Sequence, residues 1–291
     1  MNGTAFTLVL LGGLCHACWN LLAKRVAGGL TFVWLQGLVS AAAMAPLAAW
    51  AAWHAGLNPL HWNAQVGLAV VASAVVHVVY SLALQEGYRR GEFAVVYPTA
   101  RGSGPLVSVL AAVLLLGDRP SLTGWLGIAA LVAGVVSCAG WSHPAGASQA
   151  RRRAGVGWGL LTGACIAAYT VIDGWAIQQL AMLPLVFHCM GMGVRSLLLA
   201  PWALRDREAL RRQWRSNARI VVAVGLLAPL AYLLVLQALR SAPLSYVAPV
   251  REVSMLWAAL AGAWLFKEPL STGRIAGAVC MLLGLVLLAQ A

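Results

Sequence analysis

Residues 11–20 read LGGLCHACWN, and residues 161–170, which begin 150 positions later, read LTGACIAAYT. The two stretches share a leucine, a glycine, a cysteine and an alanine at every second position, and Trp19 corresponds to Tyr169. Each stretch belongs to an apolar run of about twenty residues, which is the length of helix that crosses the core of a bilayer. The pair therefore predicts a chain built from two related halves made of membrane-spanning helices.

Three further motifs recur in the same order at nearly the same shift, of 149 to 152 residues. They are YSLALQ (80–85) with YLLVLQ (232–237), Pro98 with Pro249, and DRPSLTG (118–124) with KEPLSTG (267–273). Single matches arise by chance in a small apolar alphabet, so the common order and spacing carry the argument. We predict a first repeat at 1–141, a linker at 142–155 and a second repeat at 156–291.

The composition excludes a soluble protein, because 61% of the residues are hydrophobic and only 10% are charged, against about a quarter charged in soluble domains. It predicts a polytopic all-α membrane protein in contact with the lipid bilayer. The net charge of +12 does not indicate nucleic-acid binding, since most Lys and Arg lie at the ends of apolar runs. Cys15 and Cys18 have C-x-x-C spacing, but their place in an apolar helix favours packing over a metal or redox site.

About twenty apolar residues per span give ten predicted transmembrane helices joined by short connections, so consecutive helices are expected to be antiparallel neighbours. The predicted spans are 4–24, 31–53, 64–88, 93–116, 121–141, 156–179, 183–204, 217–239, 244–266 and 271–290. The first span is too long for a signal peptide and its basic residues follow it, so it is expected to remain in the mature chain. Five spans per half is an odd number, so the second repeat enters the membrane inverted. Inverted repeats with a site near the midplane are a recurring transporter design.

The Lys and Arg residues are concentrated in the connections that follow the odd-numbered spans. They are Lys24, Arg25, Arg89, Arg90, Arg151 to Arg153, Arg205, Arg207, Arg211, Arg212, Arg215, Arg219 and Lys267. The other side carries only Arg119 and Arg240. The positive-inside rule then places the Arg205–Arg219 loop in the cytoplasm and both chain termini outside, in the plasma (inner) membrane.

The chain resembles the drug/metabolite transporter superfamily, and in particular the EamA-type repeat. HACWNLLAKR (16–25) looks like the start of such a repeat, and the DRPSLTG and EPLSTG turns resemble its connection between the last two helices. The resemblance covers nearly the whole chain and implies two inverted five-helix repeats around a central cavity, which moves small metabolites or drugs by alternating access. Relatives are expected to keep both termini in the cytoplasm, and the charge count of this chain indicates the reverse.

Two arginines, Arg101 and Arg251, lie deep inside spans four and nine at nearly equivalent places of the repeats. Pro98 and Pro105 are predicted to interrupt span four, and Pro249 to interrupt span nine. Broken helices near the midplane typically mark a transporter's binding site, so both arginines are predicted to bind substrate. The alternative is a structural role, in which Arg251 pairs with Glu252 or clamps backbone carbonyls, although sequence neighbours on a helix point about 100° apart.

Other polar residues within the spans are further candidates. His16, His77, Asp173 and Glu252 are candidates for coupling transport to protons, with a hydrogen-bonded packing role as the alternative for the two histidines. Glu252 is favoured over Asp173, which lies closer to a span end. His188 is expected to pack and Arg195 to snorkel toward a boundary. Aromatic and amide side chains suit an amphipathic ligand, with interface or packing roles as the alternative. These candidate cavity residues are Trp19, Asn20, Tyr80, Tyr97, Tyr169 and Tyr232.

These observations predict a secondary active transporter of a small metabolite with an anionic group. The predicted spans contain two deep arginines but only one comparably deep acid, so one positive charge is left for a ligand to balance. No nucleotide-binding motif, metal motif or cofactor site is found, so a gradient of protons or a counter-substrate is expected to supply the energy. The alternatives are an exporter of amino acids, amphipathic drugs or organic cations, and a membrane-embedded enzyme or scaffold. The chain can act as a monomer or a homodimer.

Overall fold

A computed structural model describes residues 1–23, 25–26, 29–56, 63–139, 149–257, 260 and 272–291. Within those residues all regular structure is helical, as the prediction of an all-α membrane protein requires. Some predicted features lie outside the described residues. They are the end of the ninth predicted span beyond residue 260, most of the second proline-containing turn, Lys24, Lys267, and residues 140–148 at the repeat boundary and linker.

The helices follow the predicted spans within a few residues at most ends. They are α1 Gly3–Ala23, α2 Gly29–His54, α3 Ala64–Arg90, α4 Phe93–Ala111 followed by a π-helical turn Ala112–Leu116, α5 Leu122–Ala139, α6 Gln149–Gln178, α7 Pro184–Ala203, α8 Arg207–Ala238, α9 Leu244–Val250 followed by a 3-10 turn Arg251–Val253, and α10 Thr272–Gln290. In the described part of the chain, eight helices are long and apolar enough to span a membrane, and α5 is a shorter apolar helix.

The outer surface of the bundle is apolar. Large hydrophobic side chains such as Leu68, Leu114, Leu122 and Leu197 are more than half exposed, whereas Asp173, Arg251 and Glu252 are buried. This distribution is the reverse of that in a soluble protein, because lipid rather than water surrounds the helices.

Span four is not broken at its prolines, which corrects the prediction. Helix α4 continues through both Pro98 and Pro105, because a proline removes only one backbone hydrogen bond and a membrane helix tolerates the bend. Its irregular part is the π-helical turn, which ends at Gly117 with a φ of 77°. In span nine the helix does change, to the 3-10 turn Arg251–Val253 directly after Pro249.

Consecutive helices are not the main packing partners, contrary to expectation. The most extensive contacts in the described residues join the two halves, between α5 and α10, α4 and α6, α1 and α8, α3 and α6, and α2 and α7. Short connections fix only the direction in which the next helix runs. Which faces become buried depends on where small residues allow close approach.

Two basic stretches that were expected to be connections are partly helical. Helix α8 begins at Arg207, capped by the Asp206 carboxylate, which accepts a hydrogen bond from the Ala209 N–H at 2.8 Å. Its φ and ψ depart from helical values at Asn217 (−133° and 17°), so a polar helical segment precedes the apolar span. Likewise, α6 begins at Gln149 rather than after residue 155.

Helices α5 and α10 pack through paired glycines. A Cβ atom added to Gly127 would lie 3.1 Å from the Gly284 carbonyl oxygen, and one added to Gly134 would lie 2.7 Å from the Gly277 carbonyl oxygen. The residue numbers on one helix rise as those on the other fall, so α5 and α10 run antiparallel. The backbones touch because glycine has no side chain.

Replacing Gly134 by alanine is expected to lower the stability of the folded protein by about 1–3 kcal/mol, the usual cost of forcing atoms into a packed interface. The new Cβ would also lie 2.7 Å from the Met281 backbone nitrogen, which cannot move without shifting α10. Thermal unfolding in detergent measures the change. Gly67→Ala on α3 is the control, because nothing lies within 4 Å of its Cβ position; equal melting temperatures for both variants would contradict this packing.

Candidate functional site

Each predicted arginine lies on a segment that packs against the first helix of the other half. A Cβ atom at Gly13 of α1 would lie 2.5 Å from Val253 Cγ1, in the 3-10 turn that carries Arg251. A Cβ atom at Gly163 of α6 would likewise lie too close to Ser103 and to the Gly104 backbone of α4, just beyond Arg101. The recurrent glycine in the LGGLCHACWN and LTGACIAAYT stretches thus lets the backbone of the arginine-bearing segment approach closely.

Arg101 and Arg251 share one carboxylate. Arg101 Nη1 lies 3.1 Å from Glu252 Oε2, and Arg251 Nε lies 3.6 Å from Glu252 Oε1. Glu252 is only 1% exposed and Arg251 only 7% exposed. The sequence neighbours Arg251 and Glu252 approach each other beyond hydrogen-bonding distance, and the closer pair joins the two halves through Arg101. The local group carries two positive charges and one negative charge.

His16 lies beside Arg101 and Trp19. Its Nδ1 lies 3.3 Å from the Trp19 indole nitrogen, and its Nε2 lies 3.5 Å from Arg101 Nη2. Arg101 Nη2 also donates to the Ser254 hydroxyl at 3.2 Å. His16 on α1 and Ser254 after the 3-10 turn thus both contact the guanidinium of Arg101.

Arg251 is held by α6 as well as by Glu252. Its Nη1 donates to the Thr170 hydroxyl at 3.4 Å, and its guanidinium carbon lies 5.9 Å from the centre of the Tyr169 ring. Its Nη2 is buried without a hydrogen-bond partner among the described residues. On the other arginine, the guanidinium carbon of Arg101 lies 5.8 Å from the Tyr97 ring centre. Both arginines thus contact an aromatic face.

Three of the aromatic candidates, Tyr80, Tyr169 and Tyr232, form one cluster with His77. His77 stacks on Tyr169 with ring centres 4.0 Å apart, and Tyr80 meets the same ring edge-to-face at 5.7 Å. Tyr232 lies 6.3 Å from Tyr169. The His77 Nδ1 is 2.9 Å from the Ser73 carbonyl oxygen, so it carries a hydrogen and donates it. Helices α3, α6 and α8 each contribute to this cluster.

Asp173 lies at the far side of this cluster from Glu252 and is buried, 1% exposed. Its Oδ2 accepts a hydrogen bond from the Tyr232 hydroxyl at 2.5 Å, and its Oδ1 has no hydrogen-bond partner among the described residues. Asp173 lies close to the end of its span, as expected, since helix α6 ends five residues later at Gln178. There the Gln178 amide donates to carbonyl oxygens of the 239–243 connection.

His188, on α7, is buried and packs as expected, because its ring lies 5.3 Å from Tyr232 in the aromatic cluster. Arg195, on the same helix, differs from expectation. Arg195 does not snorkel; its Nε donates to the Gly191 carbonyl oxygen at 3.2 Å, one turn back along the helix. Its charge acts on Asp173 and His188 from there.

Not every candidate joins the site. Asn20 is exposed and its amide donates to the His16 carbonyl oxygen at 2.7 Å, one turn back along its own helix, so it does not contact the arginines. Trp19 contacts the site through His16. Sequence reasoning missed Thr170 and Ser254. Ser254 lies three residues after Arg251, a spacing that favours a shared helix face, whereas no spacing marked Thr170.

Metal-ligating residues do not gather in the part of the chain that the structure describes, where no group of three His, Cys, Asp or Glu side chains forms. Cys15 and Cys18 are both free thiols.

One end of the bundle, the Gln178 end, is formed by Asn2, the 117–121 connection, Gln178 and the 239–243 connection. The Gln178 amide donates to the carbonyl oxygens of Leu239 (3.1 Å) and Ala242 (3.0 Å). A cleft of about 620 Å³ opens there, with Asp118, Ile177, Gln178 and Arg240 among its lining residues.

The DRPSLTG turn joins the halves at this end. The Asp118 carboxylate accepts from the Ser245 N–H at 2.8 Å, and the Tyr246 hydroxyl accepts from the Ser121 N–H at 3.1 Å. The turn therefore satisfies backbone groups at the start of α9 as well as its own.

Comparison with known proteins gives a family match and a fold match. The model of the EamA-like transporter family matches residues 3–139 and again residues 153–290. A solved structure described only as "Crystal structure of protein" covers 97% of this chain and 94% of its own chain, with a TM-score of 0.75 and 15% sequence identity. At this identity the likeness concerns the fold alone. Comparison with curated proteins gave no match.

Proposed function

Because this chain belongs to the EamA-like transporter family, we propose that it is a secondary active transporter of a small metabolite that carries an anionic group. The substrate binds at Arg101 and Arg251 and crosses the plasma (inner) membrane by alternating access. The energy comes from a proton gradient or from exchange with a counter-substrate.

The observation that carries the anionic assignment is the uneven charge around Glu252. One carboxylate serves two arginines, at 3.1 and 3.6 Å, so one positive charge is left without a carboxylate partner in this group. The neighbouring donors are Arg101 Nη2 and Arg251 Nη2, and the latter has no hydrogen-bond partner among the described residues. A carboxylate or phosphonate-like group of the substrate can accept from such donors, and arginine can grip it with two parallel hydrogen bonds.

Two features support an inverted relation between the halves. Helices α5 and α10, which are equivalent in the repeats, run antiparallel through glycines 150 positions apart: Gly127 and Gly134 on α5, Gly277 and Gly284 on α10. The main helix contacts also keep their pattern when the halves are exchanged, since α1 with α8 becomes α6 with α3. We infer a pseudo-two-fold axis in the membrane plane, the arrangement that lets equivalent helices open opposite sides in turn.

The Gln178 end is expected to face outside and the arginine-rich Arg205–Arg219 segment the cytoplasm, because Lys and Arg accumulate on the cytoplasmic side. Single cysteines at Ser216 and Ala291, in a background without the six free native cysteines, test this with an impermeant thiol reagent. Ala291→Cys should react in intact cells and Ser216→Cys only after permeabilisation. Labelling of Ser216→Cys in intact cells would reverse the orientation.

Flux across sealed proteoliposomes tests the function itself. Purified protein is first screened for anionic, zwitterionic and cationic metabolites that raise its melting temperature, since a ligand of the folded state stabilises it. We expect anionic hits, and uptake of the labelled hit by loaded vesicles but not by protein-free ones. A preferred cationic substrate would refute the charge assignment, and turnover of a ligand without a membrane would refute transport.

A further inference from the structure

We propose that Asp173 is the proton-binding site of this transporter and that its protonation acts on the contact between α6 and α8. The proposal rests on the proposed transport function and assigns its coupling ion. It changes the sequence-based preference, which favoured Glu252, because the structure gives the two buried acids different partners.

Glu252 is committed to ion pairs. Arg101 approaches both of its oxygens and Arg251 approaches Oε1, so a neutral Glu252 would leave two buried arginines without a counter-charge. Breaking a buried ion pair by neutralising one partner is strongly destabilising. A group with this role is part of the binding site for the anionic substrate.

Asp173 can gain a proton without breaking an ion pair. Among the described residues it forms none. The Tyr232 hydroxyl donates to its Oδ2, and the Ser73 side chain on α3 also interacts with the carboxylate. Oδ1 is buried and has no hydrogen-bond partner there. A proton from hydronium can therefore bind at Oδ1, giving a neutral carboxylic acid and water, and return to water by the reverse step. A tyrosine hydroxyl can hydrogen-bond to either form of the acid.

The charged and titratable groups that act on Asp173 or contact its neighbours lie on several helices. They are His77 on α3, Tyr169 on α6 itself, His188 and Arg195 on α7, Tyr232 on α8 and Arg251 after α9. The two arginines act on Asp173 at longer range than an ion pair. The His77 ring contacts both Tyr169 and Tyr232, and the His188 ring contacts Tyr232. Tyr169 in turn contacts Arg251, so these rings connect the surroundings of Asp173 with the side of the cluster where Arg251 lies.

The cleft at the Gln178 end brings water close to this acid. Ile177 and Gln178 line the cleft, and Ile177 lies one helical turn after Asp173 on the same face of α6. One turn corresponds to about 6 Å along the helix axis. The proton therefore has a short route from the Gln178 end, the end opposite to the basic connections.

The same carboxylate joins two helices. Asp173 lies on α6 and Tyr232 on α8, and α8 packs along α1, which carries His16 beside Arg101. A hydrogen bond to a charged acceptor is roughly twice as strong as one to a neutral acceptor. Protonation of Asp173 thus weakens its hydrogen bond with Tyr232. The contact between α6 and the end of α8 then becomes easier to open, although the Gln178 bonds to the carbonyl oxygens of Leu239 and Ala242 also contribute to it.

Infrared difference spectroscopy of the purified protein on acidification tests the proton site without any transport assay. Wild type should show the carbonyl band of a buried protonated carboxyl group. The band should be absent in Asp173→Asn, present in Glu252→Gln, and shifted in frequency in Tyr232→Phe, which removes the hydrogen-bond donor. The control Asp206→Asn, at an exposed helix cap, should behave as wild type. A band that survives in Asp173→Asn, or an unshifted band in Tyr232→Phe, would overturn the assignment.

Proteoliposomes then test the coupling. In Asp173→Asn, accumulation driven by a pH gradient should fall to the level of protein-free vesicles, while exchange of labelled for unlabelled substrate continues, because the arginine site is intact. Gradient-driven accumulation at the wild-type level in Asp173→Asn would contradict the proposal. If the infrared band belongs to Asp173 but wild type moves no substrate, the transport function fails and the proton site stands.

Discussion

Replacing Arg101 by alanine is expected to reduce uptake and exchange of the anionic substrate to near background, and Arg251→Ala to do the same. Removing one partner of a buried, hydrogen-bonded charge pair typically costs about 2–5 kcal/mol of binding free energy, which is more than tenfold in affinity. Arg101→Lys should also weaken transport although it keeps the charge. A lysine ammonium cannot contact Glu252, Ser254 and a substrate in the fork geometry of a guanidinium.

The measurement is uptake and exchange in proteoliposomes for variants that remain folded in detergent. Arg211→Ala is the matched control, because Arg211 is exposed on the polar segment of α8 and its loss should change neither rate. The double variant Arg101→Gln with Glu252→Gln removes a positive and a negative charge together, so it should recover folding but not transport. Full activity in Arg101→Ala or in the double variant would remove Arg101 from the binding site.

Replacing Glu252 by glutamine is expected to cause the largest loss of stability of any single charge change in the described residues. The variant leaves Arg101 and Arg251 buried together without a carboxylate, and breaking a buried pair in this way typically costs about 3–5 kcal/mol. The melting temperature in detergent should fall sharply. An anionic ligand should raise it more in the variant than in wild type, because the ligand then supplies the missing negative charge.

The control for this experiment is Glu208→Gln. Glu208 also pairs with an arginine, since Arg212 Nη1 lies 2.9 Å from its Oε1, but its side chain is 81% exposed. Exposed ion pairs contribute about 0–1 kcal/mol, so this variant should unfold close to wild type. Equal losses in Glu252→Gln and Glu208→Gln would show that the Glu252 cluster is not a tightly buried one.

The positions of the helices could be predicted from the sequence because lipid imposes one local rule. A span needs about twenty apolar residues whose backbone bonds are satisfied within the helix, and that requirement is visible in any window of the chain. The helix α1 lies within one residue of its predicted span, and α10 likewise. The predicted starts of α6 and α8 are too late, because polar residues that precede each apolar run are also helical.

The membership of the site was only partly predictable. Buried arginines are rare enough in a membrane to be noticed in isolation, so Arg101 and Arg251 were chosen. The sequence also indicates Glu252, as a candidate for proton coupling and for pairing with Arg251. It does not indicate the closer pair of Glu252 with Arg101, because residues 151 positions apart meet only in the folded chain. The contacts of Asp173 and His188 with Tyr232 could not be predicted for the same reason, since they form only where α6, α7 and α8 meet.

The sequence by itself determined the class of the protein, its helices and its two related halves, because hydrophobicity and repetition are properties of the chain. The tertiary structure decided which charges share a partner and that buried Asp173 forms no ion pair with the described residues. It also decided that the most extensive helix contacts join the two halves. Both results depend on where glycines such as Gly13, Gly134 and Gly277 let helix backbones approach each other. A difference of a few ångströms in the distance between two side chains decides whether they form an ion pair, and the packing of the helices sets that distance.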